Sequence, residues 1–422
     1  MNLLRFVRLA VLARVTLATL TSLAAMVLAC PATATPFVPK SDSEVVERLP
    51  ARVASAESRR QQRELRAQLR SHPRQLGLAL QLAREAIDRA RTLGDPREYG
   101  QAQAALAPWW PLADAPPPVR LLRATIRQAV HDFGGALVDL DALVNDPAAP
   151  LPLRAQAELT RASVLQVTGR WRDAADGCER LGGDGYAPLG AQVQIPARAC
   201  LAELSSLQGH AAAAAATLSK LAGDDAAQGG ADAAWLALLR AELAERRGDD
   251  AGAQTLFRQA LAAQQAAAPG RPADVYTLAA YTDWLLARGR NREVLELLAG
   301  REDADALMLR LAIAWKNSRD PRAAAATLTL TARFDAAAQR GDTSHGREQS
   351  RYELELMGNA AAALKHAQLN WASQREPGDA LTLLRAAEAA KDAQAAAPVW
   401  QLVRETGMED VRLGAVKLAV GK

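Results

Sequence analysis

One spacing recurs along this chain and limits what it can fold into. A small residue is followed seven positions later by a turn residue, two further on by an aromatic or short side chain, and three beyond that by an alanine. The clearest copy is Ala162, Gly169, Trp171 and Ala174, which continues to Cys178 and Leu181 on the same helical face. Ala202, Gly209, Ala211 and Ala214 repeat it, as do Ala241, Gly248, Asp250 and Ala253. Recurrence over tens of residues marks supersecondary units that cannot close a core alone and must stack on their neighbours. The units are helical. Hydrophobic residues make up 49% of the chain but aromatics only 4%, so the apolar content is mainly alanine and leucine, which favour helix, and strand-forming runs are scarce.

With the second-helix alanine as a marker, copies fall at Ala102, Ala136, Ala174, Ala214, Ala253, Val294, Ala324, Ala363 and Ala397, at intervals of 30 to 41 residues. About nine helical hairpins follow. Glycine tolerates the left-handed conformation that ends a helix, so Gly169, Gly209, Gly248 and Gly289 mark turns inside hairpins. The copy at Ala124, Phe133 and Ala136 carries His131 where glycine usually stands, and the copies around Ala324 and Ala397 are the weakest. Breaks between hairpins are expected at Pro111 with 116–118, at 147–152, 182–196, 223–230 and 269–272, and a flexible loop at 341–347.

This pattern resembles the tetratricopeptide repeat (TPR) family, in which small residues line the helix crossing, glycine precedes the turn and an aromatic fills the hairpin base. Ala162, Gly169, Trp171, Ala174 and Leu181 match it best, and the likeness extends over roughly residues 75 to 410. The resemblance implies an all-α, right-handed α-solenoid over 75–422, behind a polar and partly helical lead-in at 35–74. It also implies that first helices line a concave groove for a protein or peptide partner. The groove positions then include Thr125 with Gln128, Ser163 with Gln166, Glu203, Glu242 with Glu245, Asp283, and Tyr352 with Glu355. An acidic band next to Trp235, Tyr276 and Tyr281 suits a basic or amphipathic segment. The lysine and asparagine clamp of chaperone-binding members is not recognisable.

Arg5, Arg8 and Arg14 precede an acid-free apolar stretch, and Ala32-Thr33-Ala34 offers a small-x-small cleavage site, so residues 1–34 read as a secretory signal. An uncleaved anchor and a lipoprotein cleavage at Cys30 are the alternatives. Removing the leader takes three arginines and no acid, leaving 48 basic against 47 acidic residues. No basic stripe remains for nucleic acid. The two remaining cysteines, Cys178 and Cys200, fall on adjacent helices of neighbouring hairpins. In an oxidising compartment they read as a disulfide, worth about 3 kcal/mol by loop closure, with two buried thiols as the alternative.

The sequence contains no GxSxG, HExxH, GxxxxGK[ST] or CxxC. Its five histidines stand singly, without a histidine or cysteine three or four residues away. The His131-Asp132-Phe133-Gly134 run lacks the rest of a kinase signature; in the repeat register Phe133 is the hairpin aromatic. The expectation is a non-enzymatic, exported scaffold without cofactor or metal, binding a partner in its groove. The alternatives are an envelope enzyme of the helical-ring, peptidoglycan-cleaving type, and a lipid-anchored assembly factor.

Overall fold

The computed structural model describes residues 56–341 and 345–416, together with Ser41. The leader at 1–34, Cys30 and the rest of the lead-in before residue 56 lie outside the described residues. Ala54–Lys422 forms one compact unit. No strand occurs among the described residues. A polar helix, α1 (Ala56–Ser71), leads in.

Among the described residues nine helical hairpins follow: α2 (Leu76–Leu93) with α3 (Arg97–Ala105), α4 (Pro117–Ala129) with α5 (Phe133–Val144), and α6 (Leu151–Val167) with α7 (Trp171–Gly182). The middle three are α8 (Ala191–Ser206) with α9 (Ala211–Ala227), α10 (Ala233–Arg246) with α11 (Asp250–Ala267), and α12 (Val275–Ala287) with α13 (Asn291–Leu297). The last three are α14 (Asp305–Asn317) with α15 (Arg322–Gln339), α16 (Gly346–Arg351) with α17 (Ala360–Ser373), and α18 (Pro377–Ala390) with α19 (Ala397–Thr406). The described residues form an all-α solenoid of stacked helical hairpins. A π-helical turn, Tyr352–Met357, extends α16.

Each hairpin turns on one left-handed residue. These are Gly94, His131, Gly169, Gly209, Gly248, Gly289, Arg319, Gly358 and Lys391, with φ between 56° and 81°. In seven of the nine, the amide after the turn residue donates back to the carbonyl five residues earlier, as from Arg170 to Leu165 at 2.8 Å and from Asp249 to Ala244 at 2.9 Å. This is the Schellman closure, which satisfies carbonyls the helix end would otherwise leave open. Asp132, Asp249 and Asn359 then accept the amides of Gly135, Gly252 and Ala362 and start the second helix.

The packing positions are buried: Ala124, Ala136, Ala162, Ala174, Ala202, Ala214, Ala241 and Ala253, with Phe133 and Trp171 at the hairpin bases. Small side chains there let the helices approach closely. Two markers need correction. Ala324 is exposed and Ala326 takes its place, because Asp320 and Pro321 delay the start of α15; Ala397 is exposed and Ala396 packs instead. The 182–196 break is also shorter than expected: a 3-10 turn, Asp184–Leu189, leads directly into α8, which contains Pro196. Gly223 lies inside α9. Of the 341–347 stretch, residues 342–344 lie outside the described residues, and Gly346 opens α16.

Cys178 on α7 and Cys200 on α8 are joined by a disulfide with a Cα separation of 6.1 Å. It staples the third hairpin to the fourth within an apolar core. That core runs from Ala162, Trp171 and Leu207 to Trp371, Leu383, Met408 and Leu413, so the last two hairpins pack on the third and fourth.

The array coils back on itself. Arg301 donates to the carbonyl of Thr92 at 2.7 Å, Arg271 pairs with Asp88, and the turn at Gly94 rests on Ala304. A Cβ at position 94 would stand 2.6 Å from the Ala304 methyl. The first hairpin therefore closes against the sixth hairpin and the segment that follows it. Behind this closure the C-terminal residues run along successive turns. Gln374 meets His131 at 3.3 Å, the Arg375 amide donates to Val167 at 2.7 Å, Gly407 abuts Gly209, and the Val411 amide donates to Arg246 at 2.9 Å. The open concave groove implied by the resemblance is instead a lumen partly filled by the chain's own end.

Candidate functional site

The first helices α6, α8, α10, α12, α14 and α16 turn polar side chains inward, while their alanines and leucines pack on the neighbouring hairpins. Gln166 on α6, Glu203 on α8, Glu242 and Glu245 on α10, and Tyr276 and Asp283 on α12 all line one cavity of about 460 Å³. Arg310 on α14, Arg347 and Glu348 on α16, Glu376 before α18, and Arg412 complete the wall.

The wall is divided electrostatically. On one side Asp283 receives Arg310 and Arg351, each at 2.6 Å. Burial works to raise its pKa, but the two guanidinium groups outweigh this and hold it at about 2. Arg347 bridges Glu376 at 2.9 Å and Asp379 at 2.7 Å, and those two residues form the capping box that opens α18. Arg412 pairs with Glu245 at 2.9 Å and with Asp410 at 2.6 Å.

On the other side the carboxyl groups have only neutral hydrogen-bond partners. Glu203 accepts from the Gln166 amide at 2.7 Å, and Glu242 from the Tyr276 hydroxyl at 2.9 Å. Burial raises both acids. Glu242 reaches about 8 because the neighbouring charges of Glu203, Glu376 and Glu245 add to burial and exceed the lowering by the Tyr276 bond. Arg246 lies one helical turn beyond Glu242 but donates to the Ser206 hydroxyl at 2.7 Å and the Ser206 carbonyl at 3.3 Å. Among the described residues no group of three or more His, Cys, Asp or Glu is placed to hold a metal ion.

Six groove positions read from the sequence fall elsewhere, among them Thr125, bonded to the Leu121 carbonyl, and the exposed Ser163; Tyr281, placed beside the band, is buried in the core. Tyr352 belongs to the core: it is 5% exposed, lies edge-on to Phe334 and shares a 2.6 Å hydrogen bond with Thr331. Glu355 pairs with Arg351, and its carbonyl accepts Lys316 at 2.7 Å, in the π turn that ends this helix. Trp235 packs at the rim of the α8, α9 and α10 core, and Gln128 sits one residue before the lining Ala129. The arginines of the wall were not anticipated. Arg246 was accessible to helical periodicity, four residues after Glu242 on the same face. Arg347, Glu376 and Arg412 reach the lumen only because the C-terminal hairpins fold back, and no local pattern announces that.

Fold and site together define a class: a helical-hairpin solenoid that coils back on itself around a charged cavity open to solvent. No protein-family model and no curated protein matches the sequence. Among solved structures, the chain is similar to the APC/C hetero-tetramer Cut9-Hcn1, at 12% identity over 86% of this chain and 89% of that one, with a TM-score of 0.21. It is also similar to the TPR domain of P58(IPK), at 15% identity over 79% of this chain and 99% of that one, with a TM-score of 0.18. The fold assignment rests on the hairpins and turns described above.

Proposed function

We propose that this chain is a non-enzymatic, exported scaffold of the TPR type that binds a segment of a partner protein in its lumen. The observation that carries the reading is convergence: four successive first helices, α6, α8, α10 and α12, send Gln166, Glu203, Glu242 and Tyr276 into one cavity. Solenoids ordinarily act through such inner faces. The acidic side of the wall favours a basic segment, and the leader pattern at 1–34 favours export and cleavage after Ala34. No helix among the described residues is long and apolar enough to cross a membrane.

A photo-crosslinking residue in place of Tyr276, compared with one at the exposed outer position Leu328, tests the site in cells. Crosslinks to a defined basic segment from the lumen position alone support the reading. Equal crosslinking from both positions, or release of muropeptides when the protein is incubated with peptidoglycan, overturns it. Mass spectrometry of the mature N terminus tests export: Thr35 as first residue supports cleavage after Ala34, and a lipid-modified Cys30 replaces it with an anchored protein.

A further inference from the structure

The lumen's charges do not cancel evenly. Arg310, Arg347 and Arg412 each hold a carboxylate partner, whereas Glu203 and Glu242 hydrogen-bond only to an amide and a phenol, with the Arg246 and Arg412 charges nearby but bonded elsewhere. Arg246 is committed to Ser206. The chain also shows how this wall receives a cation. Past α19, residues 407–413 leave helical geometry and cross the turns of the fourth and fifth hairpins as an irregular strap. Met408 and Leu413 anchor it in the apolar core, the Val411 amide bonds to the end of α10, and the Arg412 guanidinium sits on Glu245. Arg412 thus occupies Glu245, one of two carboxyls on α10; Glu242 on the same helix and Glu203 on α8 are the others near it.

We propose that the lumen is a receptor for a cationic group the size of one side chain, an alkylammonium or guanidinium, seated on Glu203 and Glu242 beside the chain's own Arg412. This rests on the lumen being the binding site. A cavity of about 460 Å³ admits a long basic side chain or a linear polyamine and excludes a folded domain. Glu242 ionises on binding and gains a charge-assisted bond, about twice as strong as a neutral one. The Tyr276 ring beside Glu242 adds an aromatic face for the cation. Glu242 is raised to about 8, so seating a cation on it at neutral pH expels a proton.

Calorimetric titration of the full chain at pH 7 tests this, with spermidine and with an acetyl-Gly-Arg-Gly-amide peptide as probes, in two buffers of different ionisation enthalpy. The expected result is saturable binding with proton release, weakened about tenfold or more in Glu203→Gln and Glu242→Gln and unchanged in the surface control Glu296→Gln. Binding of spermidine alone identifies a free polyamine as the source of the cation, and binding of the peptide alone a protein segment. Circular dichroism verifies that the glutamine variants fold. Unsaturable heats with both probes, or binding that survives the double variant, overturns the proposal. If the cations fail while the Tyr276 crosslink still captures a basic segment, the scaffold reading stands without this site.

Discussion

His131, Arg319 and Lys391 occupy left-handed turns, with φ of 60°, 56° and 56°, where the other six hairpins use glycine. A side chain there costs roughly 1–2 kcal/mol, partly offset by the greater freedom that glycine has in the unfolded chain. Arg319 is exposed. Arg319→Gly is therefore expected to stabilise the protein by about 0.5 to 1 kcal/mol, read as a higher urea midpoint at unchanged slope. His131 differs, because its ring stacks on Phe133 at 5.3 Å and meets Gln374, so the side chain returns part of what the backbone loses.

At the same scale, Glu242 sets a pH dependence. The groups around it are Glu203 on α8, Glu245 and Arg246 on α10, Tyr276 on α12, Arg347 and Glu376 from the C-terminal hairpins, and Arg412 on the strap. A carboxyl raised from 4.5 to about 8 on folding contributes stability that is complete below 4.5 and is lost as the pH climbs through 8. Asp283 acts in the opposite sense: its value is depressed to about 2, so its contribution is present above the ordinary carboxyl range and is lost as the pH falls toward 2. Melting temperatures are expected to fall between pH 5 and pH 8.5, with a flatter profile in Glu242→Gln. An unchanged slope in that variant would exclude Glu242 as the source.

At the scale of elements, the hairpin was readable from the chain because everything that makes it is local. The small crossing residue, the left-handed turn and the second-helix alanine lie within twelve positions, and the Schellman bond links residues five apart. Where the local chemistry changed, the reading slipped. Asp320 and Pro321 moved the second-helix packing alanine to Ala326, and the π turn after α16 accompanied the placement of Tyr352 in the core. The disulfide belongs to this scale as well. It closes a loop of 22 residues between two neighbouring hairpins, so replacing Cys178 and Cys200 together by serine is expected to destabilise the protein by about 3 kcal/mol. Denaturant unfolding of that variant, alongside the reduced protein, measures the loss.

The whole molecule adds what neither residues nor hairpins contain. The contact between Thr92 and Arg301, and the strap that joins Val411 and Arg412 to α10, turn a curved array into a closed one. Arg412→Ala leaves Glu245, 8% exposed, without its cation, and is expected to cost about 1–3 kcal/mol. Hydrogen exchange is expected to quicken at the Val411 amide well before it does in the disulfide-stapled hairpins. Uniform acceleration throughout the chain would instead mean that the strap and the array unfold together.

The helical hairpin as the repeating unit and the turns at Gly169, Gly209, Gly248 and Gly289 were determined by the sequence alone, because helical periodicity and turn chemistry act between residues a few positions apart, whereas the groove positions Gln166, Glu203 and Glu242 followed from the family resemblance. Tertiary structure decided that the array coils back around its groove, and which acids in it bond a cation and which bond only neutral groups. Those outcomes depend on small rotations accumulated from hairpin to hairpin, and on the pairing of residues more than a hundred positions apart, for which no spacing in the chain is a signal.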